Sequence, residues 1–298
     1  MRLGFAVKVL GREGLPSHDT RRHRSEPSLG VSLERLGAIL GYLDAIDVRL
    51  YRMATSLAPY ASHPDLPRFR DAPRRFAAQL AEVGGRARSL GVRLTTHPGQ
   101  YTVLNSVRPE VRALAAEELE VQAELMDGMG LGPESVVVLH VGGAAGGVGA
   151  ALDRFEAGCE RLSDAARARL AIENDDRSFG LGDVLRLGER TGRPIVFDVH
   201  HHRCHDPHGI PGREALALAL ATWPAAVTPK VHYATGRTGP ADRAHADHVD
   251  ASAFRRFADG AAGLRDFDVM LEAKAKDLAL LRLRQQLAGQ RSEPRRIR

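Results

Sequence analysis

Short β-branched, apolar runs alternate with longer runs of helical period from one end of the chain to the other. The strand-like runs fall at 2–7, 48–53, 92–97, 135–141, 169–173, 194–199, 230–233 and 267–272. Between them the apolar spacing widens to three and four residues. Leu33, Leu36, Leu40 and Leu43 share one helix face, with Ser32 as the cap, and further helices are predicted over 73–90 and 109–129. Ser106 and the early Pro109 suit the start of the last of these. Parallel strands need crossovers of about a dozen residues or more, usually a helix. Eight such units with no linker between them predict a closed (β/α)8 TIM barrel, a single α/β domain over residues 1–285. The rival, an open doubly wound sheet, would use fewer strands and a glycine-rich first turn. Here the first turn, 11–30, is long, polar and basic, and reads as mobile.

Composition narrows the picture without deciding it. A chain of 298 residues with 43% hydrophobic content suits one large barrel or two ordinary domains. The formal charge of +5 leans toward a polyanionic partner. Much of it sits in residues 286–298, where Arg291, Arg295, Arg296 and Arg298 face only Glu293, and this stretch is expected to be a basic, disordered tail. Cys159 and Cys204 form no framework and read as free thiols in a reducing cytoplasm. No apolar run approaches membrane-spanning length, and the start of the chain lacks the charged-then-apolar pattern of a signal peptide.

The 13 histidines are the informative count, because they cluster where strands end. In a barrel of this kind the strand C-termini converge on one face, and function is built there. His97 closes the third strand and His140 the fourth, while the fifth ends in Glu173-Asn174-Asp175. The sixth gives Asp198 and then His200, His201 and His202, of which Asp198 and His201 are chosen as the pair reaching the centre. His200 and His202 are then supporting or surface groups. The seventh strand carries Lys230 and His232 on one side, the next loop supplies His245, Asp247 and His248, and the eighth ends in Glu272. Singly, each of these reads as a structural histidine or a helix cap, and His63 is left as structural. Jointly they would make a self-repelling rim without a cation to neutralise it. Nitrogen and oxygen donors without sulfur suit Mn²⁺ or Zn²⁺, with Mg²⁺ a further candidate. There are more donors than one tetrahedral ion needs, and a polynuclear site fits phosphate-ester hydrolysis. Lys230 is out of place beside cations: either it points to a substrate phosphate, or it is neutralised or chemically modified. Neither a nucleophile elbow nor a P-loop is present.

These motifs together resemble the UV damage endonuclease family, a relative of endonuclease IV among the xylose-isomerase-like barrels. The resemblance is carried by His97-Pro98-Gly99-Gln100-Tyr101, Leu139-His140-Val141-Gly142-Gly143 and Ile172-Glu173-Asn174-Asp175. It continues in Asp198 with His201, Pro229-Lys230-Val231-His232 and Met270-Leu271-Glu272-Ala273-Lys274. It implies incision of double-stranded DNA immediately 5′ to cyclobutane pyrimidine dimers and 6–4 photoproducts, by a monomeric cytoplasmic enzyme using several Mn²⁺ or similar ions. It implies metal ligands at His97, His140, Glu173, Asp198, His201, His232, His245 and Glu272, with Glu173, Lys230 and His232 catalytic. Lys230 matches a lysine that the family can carry in carboxylated form. Gln100 and Tyr101 match the pair that wedges into the duplex beside an extruded lesion, although on the residues alone Tyr101 reads as ordinary loop packing. Phe5 stands where relatives tend to have a tyrosine, and Val9 where an asparagine is expected, so lesion contacts on that side differ. Three rivals stand beside this reading. An abasic-site endonuclease would share the metal chemistry but need other DNA-probing loops. A metal-dependent sugar isomerase or epimerase would use fewer metals and a closed pocket, and a non-enzymatic DNA-binding module would have no use for the ligands.

Overall fold

Strands that are apolar on both faces belong in a parallel sheet covered on both sides, and these are. The computed structural model describes residues 1–289. In chain order it runs β1 (Leu3–Ala6), α1 (Leu29–Ala45), β2 (Leu50–Arg52), α2 (Ala72–Arg75), α3 (Ala77–Ser89), β3 (Arg93–Thr95), α4 (Pro109–Gly128), β4 (Val137–His140), α5 (Val148–Glu160) and α6 (Asp164–Arg169). It continues with β5 (Leu170–Glu173), α7 (Leu181–Thr191), β6 (Ile195–Asp198), α8 (Val199–Cys204), α9 (Gly212–Ala221), β7 (Lys230–Tyr233), α10 (Ala251–Gly260), β8 (Asp268–Leu271) and α11 (Lys276–Gly289). All eight expected strands are present, all but β7 one to three residues shorter than the sequence pattern suggests. Their order is β3-β2-β1-β8-β7-β6-β5-β4, and every pairing is parallel. The two ends meet through a bridge between Thr96 and Val137, where the Thr96 N–H donates to the Val136 carbonyl at 3.1 Å and the Val138 N–H to that of Thr96 at 3.0 Å. That contact closes the circle and rules out the open sheet. The fold is a single-domain (β/α)8 barrel.

Some local expectations are corrected. The cap of α1 is Ser28, whose hydroxyl accepts from the Gly30 N–H at 3.1 Å. Ser32 lies one turn inside, fully buried, and accepts from the Asp19 N–H at 2.9 Å. The helix expected over 73–90 is broken at Phe76 into α2 and α3. Segment 11–30, read as a mobile loop, is tied down. Asp19 is buried, accepts from the Ser28 N–H at 2.9 Å and holds Arg21 at 2.6 Å, and its last two residues already belong to α1. At the other end α11 runs through Gly289, so residues 286–289 are helix rather than tail. Residues 290–298 lie outside the described ones. Cys159 and Cys204 are unbridged, Cys159 buried and Cys204 the last residue of α8. No helix among the described residues is long and apolar enough to cross a membrane.

The helical layer sits close on itself. Gly84 of α3 lies against the Met129 carbonyl just after α4, where a Cβ would meet backbone rather than a movable side chain. Gly84→Ala is therefore expected to lower stability by about 1–3 kcal/mol, the usual cost of overpacking, read as a drop in the urea midpoint at unchanged slope.

The N-terminal mouth of the barrel is plugged by a polar knot. Arg93, fully buried at the start of β3, donates to Asp268 Oδ2 at 2.9 Å, to the Thr228 carbonyl at 2.8 Å and to the Glu134 carbonyl at 2.7 Å. Arg2 grips the same carboxylate at 2.6 and 2.9 Å. One end of the barrel is thus sealed for stability. The opposite end holds the chemistry.

Candidate metal centre

Strand register brings the candidate side chains together. His140 pairs with Glu173 across β4 and β5, and Asp198 with His232 across β6 and β7. His97 follows β3 by two residues, and Glu272 follows β8 directly. His201 is placed by its own helix: Asp198 caps α8, its Oδ1 accepting from the His201 N–H at 2.7 Å. Asn174 fastens β5 to β6, exchanging hydrogen bonds with the Asp198 backbone at 2.9 and 3.1 Å, while its carbonyl meets His201 Nδ1 at 3.0 Å. This positioning role went unassigned in the sequence, although Asn174 lies inside a quoted motif. Gly142 explains the glycines after His140. Its φ of +110° lies in the region that disfavours a side chain, and a Cβ would strike Asn105 and Val103.

Glu173 is the hub. Fully buried, it lies 2.7 Å from His232 Nδ1 through Oε1, and 2.9 and 3.5 Å from His97 Nε2 and His140 Nε2 through Oε2. His201 Nδ1 is 3.7 Å from each of Glu173 and Asp198. His232 also meets Glu272 at 3.3 Å, and Arg52 closes on the same Glu272 oxygen. Among the described residues, three sets of donor atoms lie close enough together to share an ion: His97, His232 and Glu272; His97, His140 and Glu173; Glu173, Asp198 and His201. His245 stands at the edge, its Nδ1 3.9 Å from Glu272. The other histidines turn elsewhere, and neither of the two set aside on α8 is at the surface. His200 is buried behind His245, with ring centres 5.2 Å apart, and buried His202 meets the Ile210 carbonyl at 2.9 Å. Asp175 is spent on its own turn, accepting from the backbone of Arg177, Ser178 and Phe179.

Electrostatics mark the cluster as charge-dense. Burial pulls the His97 imidazole down to about 4 against the pull of Glu173. Burial also lowers His201, but the carboxylates of Asp198, Glu173 and Glu272 outweigh it and push that imidazole up to about 9. Burial raises Glu173, yet the surrounding imidazoles of His232, His140 and His97 hold it well below the usual carboxylate range. These donors fit divalent cations. Asp198 Oδ2 and His232 Nε2 are buried with no hydrogen-bond partner, and orphaned buried lone pairs carry a cost that coordination would remove. Lys230 is also fully buried, its Nζ 3.1 Å from Thr95 Oγ1, and burial with Arg52 and Arg93 nearby pulls it well below the ordinary lysine range.

Above the cluster opens a cleft of about 590 Å³, walled in part by Arg52, His97, Gln100, His140, Arg177 and His201. Tyr101, next in the chain to the cleft-lining Gln100, is 84% exposed, so ordinary packing does not account for it. Phe5 and Val9 are both core residues, Phe5 edge-on to Tyr51 at 5.4 Å between ring centres.

Residues 18–295 match the family described as UV-endonuclease UvdE. The chain belongs to that family. Similar members include the UV DNA damage endonuclease of Bacillus velezensis (strain DSM 23117 / BGSC 10A6 / LMG 26770 / FZB42), 34% identical over 284 residues that cover 93% of this chain and 87% of that protein. The UV DNA damage endonuclease of Bacillus pumilus (strain SAFR-032) is 34% identical over 251 residues, covering 84% and 78%. The crystal structure of SacUVDE superposes with a TM-score of 0.86 at 30% identity, covering 98% of this chain and all of that one. A D-psicose 3-epimerase crystallised in the presence of D-fructose covers 91% and 84% with a TM-score of 0.51 at 13% identity, a likeness of fold alone. As a member of the UV-endonuclease family the chain is a DNA-repair nuclease, and the sugar-epimerase reading keeps only its barrel.

Proposed function

We propose that this chain cuts the DNA backbone immediately 5′ to cyclobutane pyrimidine dimers and 6–4 photoproducts, using more than one divalent cation, foremost Mn²⁺. The observation that carries this reading is Glu173, buried among His97, His140, His201 and His232 at the mouth of the barrel. It belongs to two of the three donor sets and so is placed to serve two cations. The proposed ligands are His97, His140, Glu173, Asp198, His201, His232, His245 and Glu272. Bound cations there supply Lewis acidity to the phosphodiester and lower the pKa of water. The protein's own part is to fix donors on rigid strand ends. Asn174 and the cap at Asp198 orient His201, and His232 is held by Glu173 and Glu272. At Lys230 a carbamate, formed when the buried amine adds to carbon dioxide and gives up a proton to solvent, would place an anion beside the metals.

The substrate is double-stranded DNA in the cytoplasm. Gln100 and Tyr101 are proposed to fill the gap left when a lesion is extruded, since a flat ring replaces lost stacking and damaged bases are cheaper to unstack. Tyr101→Ala is expected to weaken binding to irradiated duplex about tenfold, on the scale of one base–ring stack, with little effect on undamaged DNA, read by fluorescence anisotropy.

The deciding assay incubates the protein and Mn²⁺ with irradiated, abasic and untreated supercoiled plasmid, with and without chelator. Selective nicking of the irradiated plasmid that stops with chelator is expected. Equal nicking of all three, cutting of abasic plasmid only, or none at all overturns the reading.

A further inference from the structure

Two basic side chains lie inside the donor cluster, and they are not alike. Lys230 is sealed in the barrel against Thr95. Arg52 is not sealed, and it presents a planar guanidinium with a fixed fork of donors. It ends β2, where register holds its backbone between Ala6 and Thr95. Its side chain is 14% exposed, so it is neither sealed in the core nor free in solvent. One edge closes on Glu272, a member of a candidate cation set, and the residue lines the cleft beside His97, Gln100 and His140.

A fixed positive charge next to a pocket that collects divalent cations is costly unless something negative enters between them. Glu272 offsets part of that cost, but it is itself a candidate ligand and its charge is shared. The anion that enters this cleft in the proposed reaction is a DNA phosphate. A guanidinium fork matches two phosphate oxygens, and one held on a strand is already oriented when the phosphate arrives. We infer that Arg52 is a further catalytic residue, bonding the non-bridging oxygens of the phosphodiester that is cut while Glu272 locks its other edge. This rests on the phosphodiester-cutting reading above.

Two measurements on manganese-loaded protein test it, with Arg52→Ala and Arg52→Lys beside wild type. The first is calorimetric binding of inorganic phosphate, expected to weaken about tenfold in Arg52→Ala, as for loss of a hydrogen bond to a charged group. The second is single-turnover nicking of irradiated plasmid, expected to slow by about 10²-fold in Arg52→Ala, less in Arg52→Lys, and to recover in part when guanidinium ion is added to the alanine variant. Manganese content is expected to match wild type in both variants. Equal phosphate affinity in wild type and Arg52→Ala overturns the inference. So does loss of manganese from the alanine variant, which would leave Arg52 only as a support for Glu272. If wild type nicks nothing while phosphate binding still depends on Arg52, the anion site stands and the substrate reading falls.

Discussion

Glu173→Gln will lower manganese-dependent nicking of irradiated plasmid by about 10³-fold or more, the scale for removing a group that acts in the transition state, while binding to the same DNA in chelator stays within about threefold of wild type. The substitution keeps size and shape but removes the charge at the hub of the cluster. It also puts an N–H₂ where one oxygen now faces imidazole nitrogens at 2.7 Å or at 2.9 and 3.5 Å. An amide cannot serve two cations as a carboxylate can, so manganese stoichiometry should fall together with activity. Binding should survive because Tyr101 and the exposed Arg177, the groups open to a duplex, make no contact with Glu173. Near-wild-type turnover in this variant would remove Glu173 from the role proposed for it. Unchanged manganese content with lost activity would instead confine it to the chemical step.

Asp268→Ala will destabilise the fold by about 3–5 kcal/mol, the cost of stripping one partner from a buried ion pair, without touching the metal centre at the other end of the barrel. Arg93 beside it is 1% exposed and would keep a charge with no counterion, and Arg2 would lose two side-chain bonds and one backbone bond to the carboxylate. The urea midpoint reads the loss. Pairing the change with Arg93→Met should recover only part of it, because the carbonyls of Thr228 and Glu134 then lose their donor. The effect carries a pH signature. Burial raises the Asp268 carboxyl, but hydrogen bonds from Arg2 and the charge of Arg93 outweigh it and hold it below its ordinary value of 3.8. A depressed carboxyl stabilises the fold above its unfolded pKa and loses that contribution as pH falls through the folded one. The gap between wild type and variant should therefore be full at neutral pH and narrow below about pH 4.

The barrel was legible because its signals are local. A run such as Val136-Val137-Val138-Leu139 next to the helical spacing of α4 needs no distant partner to be recognised, and the same alternation recurs along the chain. Strand ends were legible for the same reason, and with them the donors at His97, His140, Glu173, Asp198, His232 and Glu272. What failed locally failed where two signals competed. Ser28 and Ser32 both suit a helix cap, and only the buried Asp19 contact shows that Ser32 is already inside the helix. Segment 11–30 has the composition of a loose loop, yet a single carboxylate, Asp19, ties it down from within.

Residue types and their place along each strand decided that this chain is a barrel with a rim of imidazoles and carboxylates, since strand period and chemical identity are properties of neighbours in sequence. Only folding decided which donors meet. Glu173 and Glu272 converge because β5 and β8 curve round one circle, Lys230 is buried with its amine against Thr95 of β3, and Arg52 reaches Glu272 across β1. Distances and burial of that kind come from closing the sheet on itself, and no stretch of chain short of the whole carries them.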